Sequence, residues 1–378
     1  MPDQEDIFTQ RVPKDNAEGA VLPLAPAMSE PSIKTEPAAT WGDEFFQDSL
    51  AIVGPAKSGK TALIVCLPQA CRLRQKGEPA LSIVAEKLSQ SKVSVGPDPN
   101  HLLQIEDVAQ MLRGGVNKIC ELDHNSDFVA GTEQPYVYPL SIRINDLKID
   151  LKLRVIDGPG GGLFPSRLED SQSQLYFDGL ARACAKAKRL LLCVSSTSPH
   201  VDLVSRNLDA VLQGILTYSP KPGELPFERV LVMLTKVDRL ALDFISTNGR
   251  AARQRPHDIA CLISPLEQVR EIVNVHVLEA IRSRLPLGAQ MAVGLSSAAG
   301  FDGETGNAMI GLDGKVVRLD GVNFQESGQS MLNRWRPFGV REALYFLAGG
   351  EPRGPLVKYT EEDSYVFEDH YSVQMEAN

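Results

Sequence analysis

Residues 48–61, Asp-Ser-Leu-Ala-Ile-Val-Gly-Pro-Ala-Lys-Ser-Gly-Lys-Thr, constrain the fold more than any other stretch of the chain. The apolar run from Leu50 to Val53 predicts a short buried strand that stops at Gly54. Gly54, Gly59, Lys60 and Thr61 follow at the spacing G-x-x-x-x-G-K-[ST], and Ala62 to Leu67 predicts the start of a buried helix. Strand, glycine-bearing loop and helix in that order make a phosphate-binding loop. Successive backbone N–H groups must curl round a polyphosphate, and glycine permits the positive φ and close approach that this needs. The loop ends on a helix N-terminus, whose partial positive charge favours anions. Lys60 is long enough to reach the β- and γ-phosphates, and Thr61 offers a hydroxyl to Mg²⁺. Phosphate contacts are assigned to Gly54, Lys57, Ser58, Gly59, Lys60, Thr61 and Ala62.

Composition removes several alternatives. The chain has 378 residues, 43% of them hydrophobic, enough for a substantial core and for two or three domains. Its net charge of −9 argues against a general nucleic-acid binder, which carries a basic surface. There is no run of about 18 apolar residues to span a membrane. The acidic start, Met1 to Asp6, lacks the apolar core of a signal peptide. Cys66, Cys71, Cys120, Cys184, Cys193 and Cys261 include no C-x-x-C pair. They read as free thiols in a reducing cytoplasm rather than as a zinc site.

Residues 1–40 are rich in Pro, Ala, Glu and Ser and read as a disordered arm. Order is expected from Trp41. The helix after Thr61 is expected to reach about Gln75, followed by an insertion at 77–131 with a helix from about His101 to Leu112. Tyr136 to Ile144 and Leu147 to Ile156, joined at Asn145-Asp146, predict an antiparallel hairpin that ends on Asp157-Gly158-Pro159-Gly160. Helices are expected at 167–186, 200–217 and 265–284 and from Val340 to Leu347, and strands at 189–195, 229–234, 291–295 and 315–319. Residues 349–378 read as a tail. Strands alternating with helices predict an α/β sheet, mostly parallel and covered by helices on both faces, with a helical insertion.

Four segments then fit one site, because ligands of open α/β sheets bind at the carboxyl ends of strands. The phosphate loop is the first. Asp157-x-x-Gly160 is the second: its carboxylate can hold Mg²⁺ through water, and the Gly160 N–H can meet the γ-phosphate and move when that phosphate leaves. Thr235-Lys236-Val237-Asp238 is the third. A carboxylate there can accept both N1–H and N2–H of guanine while the lysine stem covers the ring. The fourth is Ser297-Ala298, where a backbone N–H can face the guanine O6.

GPAKSGKT, DGPG, TKVD and SSA, in that order and each after a predicted strand, resemble the Ras-like class of phosphate-loop GTPases over roughly residues 48–348. GTEQPYVYPLSIRI, DGPGG and WRPFGVREALYFL further resemble bacterial double-GTPase-type domains. The resemblance implies a threonine before the second strand, bound to Mg²⁺ through its hydroxyl and to the γ-phosphate through its N–H. Thr132 is the candidate. It also implies a slow, Mg²⁺-dependent GTPase that switches between GTP and GDP states. Lys60, Thr132 and Gly160 would serve catalysis, and Thr61, Thr132 and Asp157 the metal. Protein partners would be read by the switch loops and the 77–131 insertion. The family often carries a glutamine after DxxG to orient water, but this chain has Gly161. Arg167, Gln172 or Gln174 could substitute, or face solvent. Lys57 could serve as a cis-supplied cation, or also face solvent. A scaffold that keeps the fold without turnover, and an ATPase or kinase of the wider group, are the other readings. The latter would have no use for TKVD.

Overall fold

Strand residues at the centre of the sheet alternate between two hydrophobic clusters. The computed structural model describes residues 46, 49–55, 57–73, 80–85, 92–94, 102–105, 136–144, 149–157, 171–197, 201–248, 254–311, 333–360 and 363. These all lie in one compact unit, Ala38–Asn378. Along β1 (Leu50–Val53), Leu50 and Ile52 face one cluster and Ala51 and Val53 the other. The same alternation runs through β7 (Arg189–Ser195) and β8 (Arg229–Thr235): Leu191, Cys193, Leu231 and Met233 point one way, Leu190, Leu192, Val230 and Val232 the other. The period of two in side-chain direction thus places apolar surface on both faces, and each must be covered.

Among the described residues, helices cover them unequally. Helix α1 (Lys60–Arg72) buries Leu63, Ile64, Leu67 and Cys71, an i, i+1, i+4, i+8 stripe, on the face it shares with α8 (Val340–Leu347). The other face carries α2 (Ser171–Lys186), α3 (Val201–Thr217), α4 (Val237–Asn248), α5 (Pro256–Leu262), α6 (Pro265–Val273) and α7 (Val275–Arg282).

Among the described residues, the sheet has ten strands. The path is β12 (Leu356–Lys358), β9 (Gln290–Leu295), β8, β7, β1, β6 (Ile149–Asp157), β5 (Tyr136–Ile144), β4 (Leu102–Ile105) and β3 (Lys92–Ser94). β2 (Leu81–Ala85) also pairs with β5, alongside residues 140–144. The run β9-β8-β7-β1-β6 is parallel throughout. β5 and β6 form the expected antiparallel hairpin, and β12 runs antiparallel to β9. A two-stranded sheet, β10 (Ser297–Asp302) with β11 (Trp335–Phe338), lies outside this path.

Several expectations need correction. The helix expected from His101 is not formed over Leu102–Ile105; that segment is β4, parallel to Tyr136–Val137 of β5. With β2 and β3, it makes the described part of the 77–131 insertion stranded rather than helical. The helix expected over 265–284 is two helices. Asn274, at φ 68°, breaks the run, and its side-chain oxygen accepts the His276 N–H to start α7. Val269, Ile272, Val273, Val277, Leu278 and Ile281 are buried on both sides of the break, so the apolar pattern alone conceals it. The first helix stops at Arg72, short of Gln75. The tail expected at 349–378 begins later, since β12 adds to the sheet and Tyr359 is buried. The arm at 1–40, the strand at 315–319 and the remainder of the insertion fall outside the described residues. Among those described, no helix is long and apolar enough to cross a membrane.

Candidate functional site

The phosphate loop leaves β1 at Gly54 and packs straight onto β7. A Cβ on Gly54 would lie 2.2 Å from the Cys193 carbonyl oxygen and 2.7 Å from Ser58 Oγ, so only glycine fits. Two loop residues are left-handed, Lys57 at φ 61° and Gly59 at φ 85°. Gly59 is the N-cap of α1 and supplies no side-chain cap. The first amides of a helix have no partners inside it, so this turn is suited to an anion. Lys60 is buried, and its Nζ donates to the carbonyls of Gly54 and Pro55, both at 3.0 Å. A cation is therefore held across the start of the loop. Thr61 and Ala62, half-buried, follow in the first turn of α1. Ser58 Oγ is buried without a hydrogen-bond partner. It faces Gly54 rather than an acceptor.

The carboxyl end of β8 is fastened to this loop. The Thr235 hydroxyl donates to the Ser58 carbonyl at 2.6 Å, and the Val194 carbonyl lies 3.2 Å from the same oxygen. The Ser196 N–H donates to the Thr235 carbonyl at 2.9 Å and the Ser196 hydroxyl to the Lys236 carbonyl at 3.0 Å. These bonds hold Lys236 at φ 61°, a left-handed conformation that costs a side-chain-bearing residue roughly 1–2 kcal/mol. Burial pushes the Lys236 ammonium pKa down, Arg239 lowers it further, Asp238 opposes, and Lys57 adds to the lowering. Lys57 and Lys236 are therefore close enough for their charges to interact.

Asp238 lies in the first turn of α4, 2% exposed. Burial pushes its carboxyl pKa up; hydrogen bonds from Ser297 and from the backbone N–H groups of Asp238 and Arg239, with the Arg239 charge, pull it back. The Ser297 hydroxyl donates to Asp238 Oδ1 at 2.5 Å and accepts the Gly300 N–H at 2.8 Å. Ser296 docks the end of β9 beside them: its N–H donates to the Leu234 carbonyl at 2.7 Å, and its carbonyl accepts from Val237 N–H at 3.1 Å. Ala298 presents its carbonyl to Trp335 Nε1 at 3.1 Å. The strand that starts at Ser297 is fixed at its far end by Asp302. This fully buried carboxylate accepts from Arg334 Nε at 2.8 Å and Nη2 at 2.6 Å and from the Thr305 hydroxyl at 2.5 Å.

Asp157 is the last residue of β6, in register with Ile52 of β1, so its backbone ends beside the start of the phosphate loop. Thr132, Gly160, Gly161 and Arg167 lie outside the described residues. Of the expected site, the structure brings together the phosphate loop, Thr235, Lys236, Asp238, Ser297 and Ala298, with the Asp157 backbone at the same ends of the parallel strands. Sequence reasoning missed the Thr235 bond to Ser58, the Ser196 bond to Lys236 and the hold of Asp302 and Arg334 on β10. No local motif announces these, since each joins distant segments. It also missed α4, whose acidic first turn follows directly on Lys236.

The residues present fit a nucleoside polyphosphate. Gly54 and Gly59 keep side chains out of the loop, and Lys60 supplies a buried cation. For a divalent ion, no group of three His, Cys, Asp or Glu gathers among the described residues. The Thr61 hydroxyl, in the first turn of α1, is an oxygen donor of the kind Mg²⁺ takes, and phosphate oxygens and water would complete its set. No family model matches the chain, and no curated protein matches it.

Proposed function

We propose that this chain is a Mg²⁺-dependent guanine-nucleotide-binding protein that hydrolyses GTP slowly and serves as a nucleotide-dependent switch. The observation that carries the reading is the buried Asp238 carboxylate, braced by Ser297 and joined through its own segment, at Thr235, to the phosphate loop. A desolvated carboxylate at the end of a strand needs donors, and one edge of guanine offers two, N1–H and the N2 amino group. Adenine has an acceptor at N1 and no 2-amino donor, so ATP would bring no donors to Asp238 and would be rejected. Strand order supports the same reading. The sequence order of the parallel strands changes direction at β1, with β6 on one side and β7 on the other, which is where such sheets bind ligands.

Lys60 would bind the phosphates and Thr61 and Asp157 the metal. Bound Mg²⁺ would supply charge neutralisation at the phosphates. Thr132 and Gly160 would answer to the terminal phosphate, and protein partners would read the loops around them and the 77–131 insertion. Cys66, Cys71 and Cys184 are buried thiols outside any disulfide, which supports a reducing, cytoplasmic setting. Gly161, which cannot orient water through a side chain, favours a second reading: a guanine-nucleotide-bound scaffold without turnover.

Asp238→Asn tests the base assignment. Asn keeps an oxygen to accept from Ser297, and burial already disfavours the Asp238 charge, so the fold should hold. GTP binding should weaken by about 2–4 kcal/mol, the cost of a broken charged hydrogen-bond pair. Xanthine carries a carbonyl where guanine has its amino group, so the mutant should gain xanthosine triphosphate. Calorimetry showing an unchanged preference for GTP sinks the assignment.

A further inference from the structure

The phosphate loop spends a lysine where glycine would be free of strain. Lys57 sits midway between Gly54 and Gly59 at φ 61°, a conformation that a residue with a Cβ adopts at a cost of roughly 1–2 kcal/mol. Strained residues of this kind concentrate at functional sites. Its side chain is exposed and, among the described residues, makes no ion pair or hydrogen bond. It is close enough to Lys236 for its charge to disfavour that ammonium. Two cations close enough to repel each other suit a polyanion that meets both. On the reading given above, that polyanion is the nucleotide's phosphate chain. The segment after Asp157 offers no side chain at Gly160, Gly161 or Gly162 to support the attacking water or the developing charge.

We propose that Lys57 is a catalytic residue: an ammonium, supplied by the phosphate loop itself, that contacts the phosphates and stabilises charge more in the transition state than in bound GTP. The inference rests on the guanine-nucleotide reading. Water attacks the terminal phosphorus, and the bond from that phosphorus to the β–γ bridging oxygen breaks. The bonding pair stays on the bridging oxygen, giving GDP and phosphate, and one water proton is released to solvent at neutral pH. Negative charge grows on the bridging oxygen as the bond opens, and a nearby ammonium then counts for most.

The experiment compares the parent with Lys57→Ala, Lys57→Arg and Lys57→Gly in three measurements. Single-turnover hydrolysis of GTP should fall at least about tenfold in the Ala and Gly variants and be largely restored by Arg. Calorimetric affinity for GTP and GDP should stay within about threefold of the parent, because the charge acts mainly in the transition state. GDP with aluminium fluoride, which imitates the transferring phosphoryl group, should bind the parent and the Arg variant and fail to bind the Ala variant. Lys57→Gly should melt at a higher temperature than Lys57→Ala without nucleotide, since glycine carries the positive φ without strain. Equal losses in GTP affinity and in rate overturn the proposal by making Lys57 a ground-state contact. Unchanged hydrolysis in Lys57→Ala overturns it outright. A parent that binds GTP but neither turns it over nor takes GDP with aluminium fluoride overturns it while leaving the nucleotide reading intact. A parent that binds no guanine nucleotide overturns both.

Discussion

Asp302→Ala is the sharpest test of how the fold holds its site. Asp302 is fully buried and receives two bonds from the Arg334 guanidinium, one from the Thr305 hydroxyl, and backbone N–H bonds from Glu304 at 3.3 Å and Thr305 at 3.2 Å. Removing the carboxylate leaves Arg334, itself buried, with Glu304 Oε2 at 3.4 Å as its remaining carboxylate among the described residues. The Glu304 side chain is 69% exposed, so that pair is worth no more than about 1 kcal/mol. Breaking one side of a buried pair costs about 3–5 kcal/mol, and the Glu304 contact recovers a fraction of it. A net loss of about 3–4 kcal/mol follows. In a folded unit the size of Ala38–Asn378 each kcal/mol moves the melting midpoint by about 1–2 °C, so the expected drop is on the order of 3–8 °C. Trp335 is fully buried next to Arg334, and its fluorescence reports the transition. Asp302→Asn, which keeps the shape and one acceptor, should lose less. A drop below about 2 °C in Asp302→Ala would falsify the claim that this pair clamps β10. Because β10 begins at Ser297, the Ala variant should also bind GTP more weakly at temperatures well below its melting point.

Two further outcomes follow from the geometry. Arg334, Thr305 and the Glu304 N–H together outweigh the burial that pushes Asp302 up, and hold its carboxyl well below the usual carboxylate range. A depressed carboxylate stabilises the fold fully above its unfolded pKa near 4 and loses that contribution as pH falls below it; melting midpoints from pH 7 to 3 should therefore fall more steeply in the parent than in Asp302→Asn. Thr61→Ala should weaken Mg²⁺-dependent GTP binding more than metal-free GDP binding, and an equal loss in calorimetry under both conditions removes the hydroxyl from the metal's ligand set.

What was legible in the sequence was whatever repeats at short range. Arg189–Ser195 and Val340–Leu347 form where expected, because an unbroken apolar run and a 3.6-residue pattern each leave one solution. The β5–β6 hairpin was legible from alternation flanking Asn145-Asp146. Leu102–Ile105 was not: four residues fit a helix or a strand equally, and the partner that decides between them, Tyr136–Val137, is about 30 residues on. β12 failed for the same reason, since three residues become a strand only because β9 exposes an edge. At the candidate site, the motifs marked Lys60, Thr235 and Asp238 but not what holds them.

The holding contacts change how the site should behave. Thr235 ties the end of β8 to the phosphate loop, and Ser297 ties the end of β9 to Asp238. The phosphate loop and the ends of β8 and β9 are thus joined by hydrogen bonds of the chain itself. Asp238 is the exposed flank of this arrangement in energy rather than in space: burial raises its pKa, and Ser297 with two backbone N–H groups only partly offsets that. On the proposed reading, a base that brought two donors would relieve the remaining penalty. Recognition of the base would then cost little ordering, and selectivity would come from the donors left unmatched by any other base.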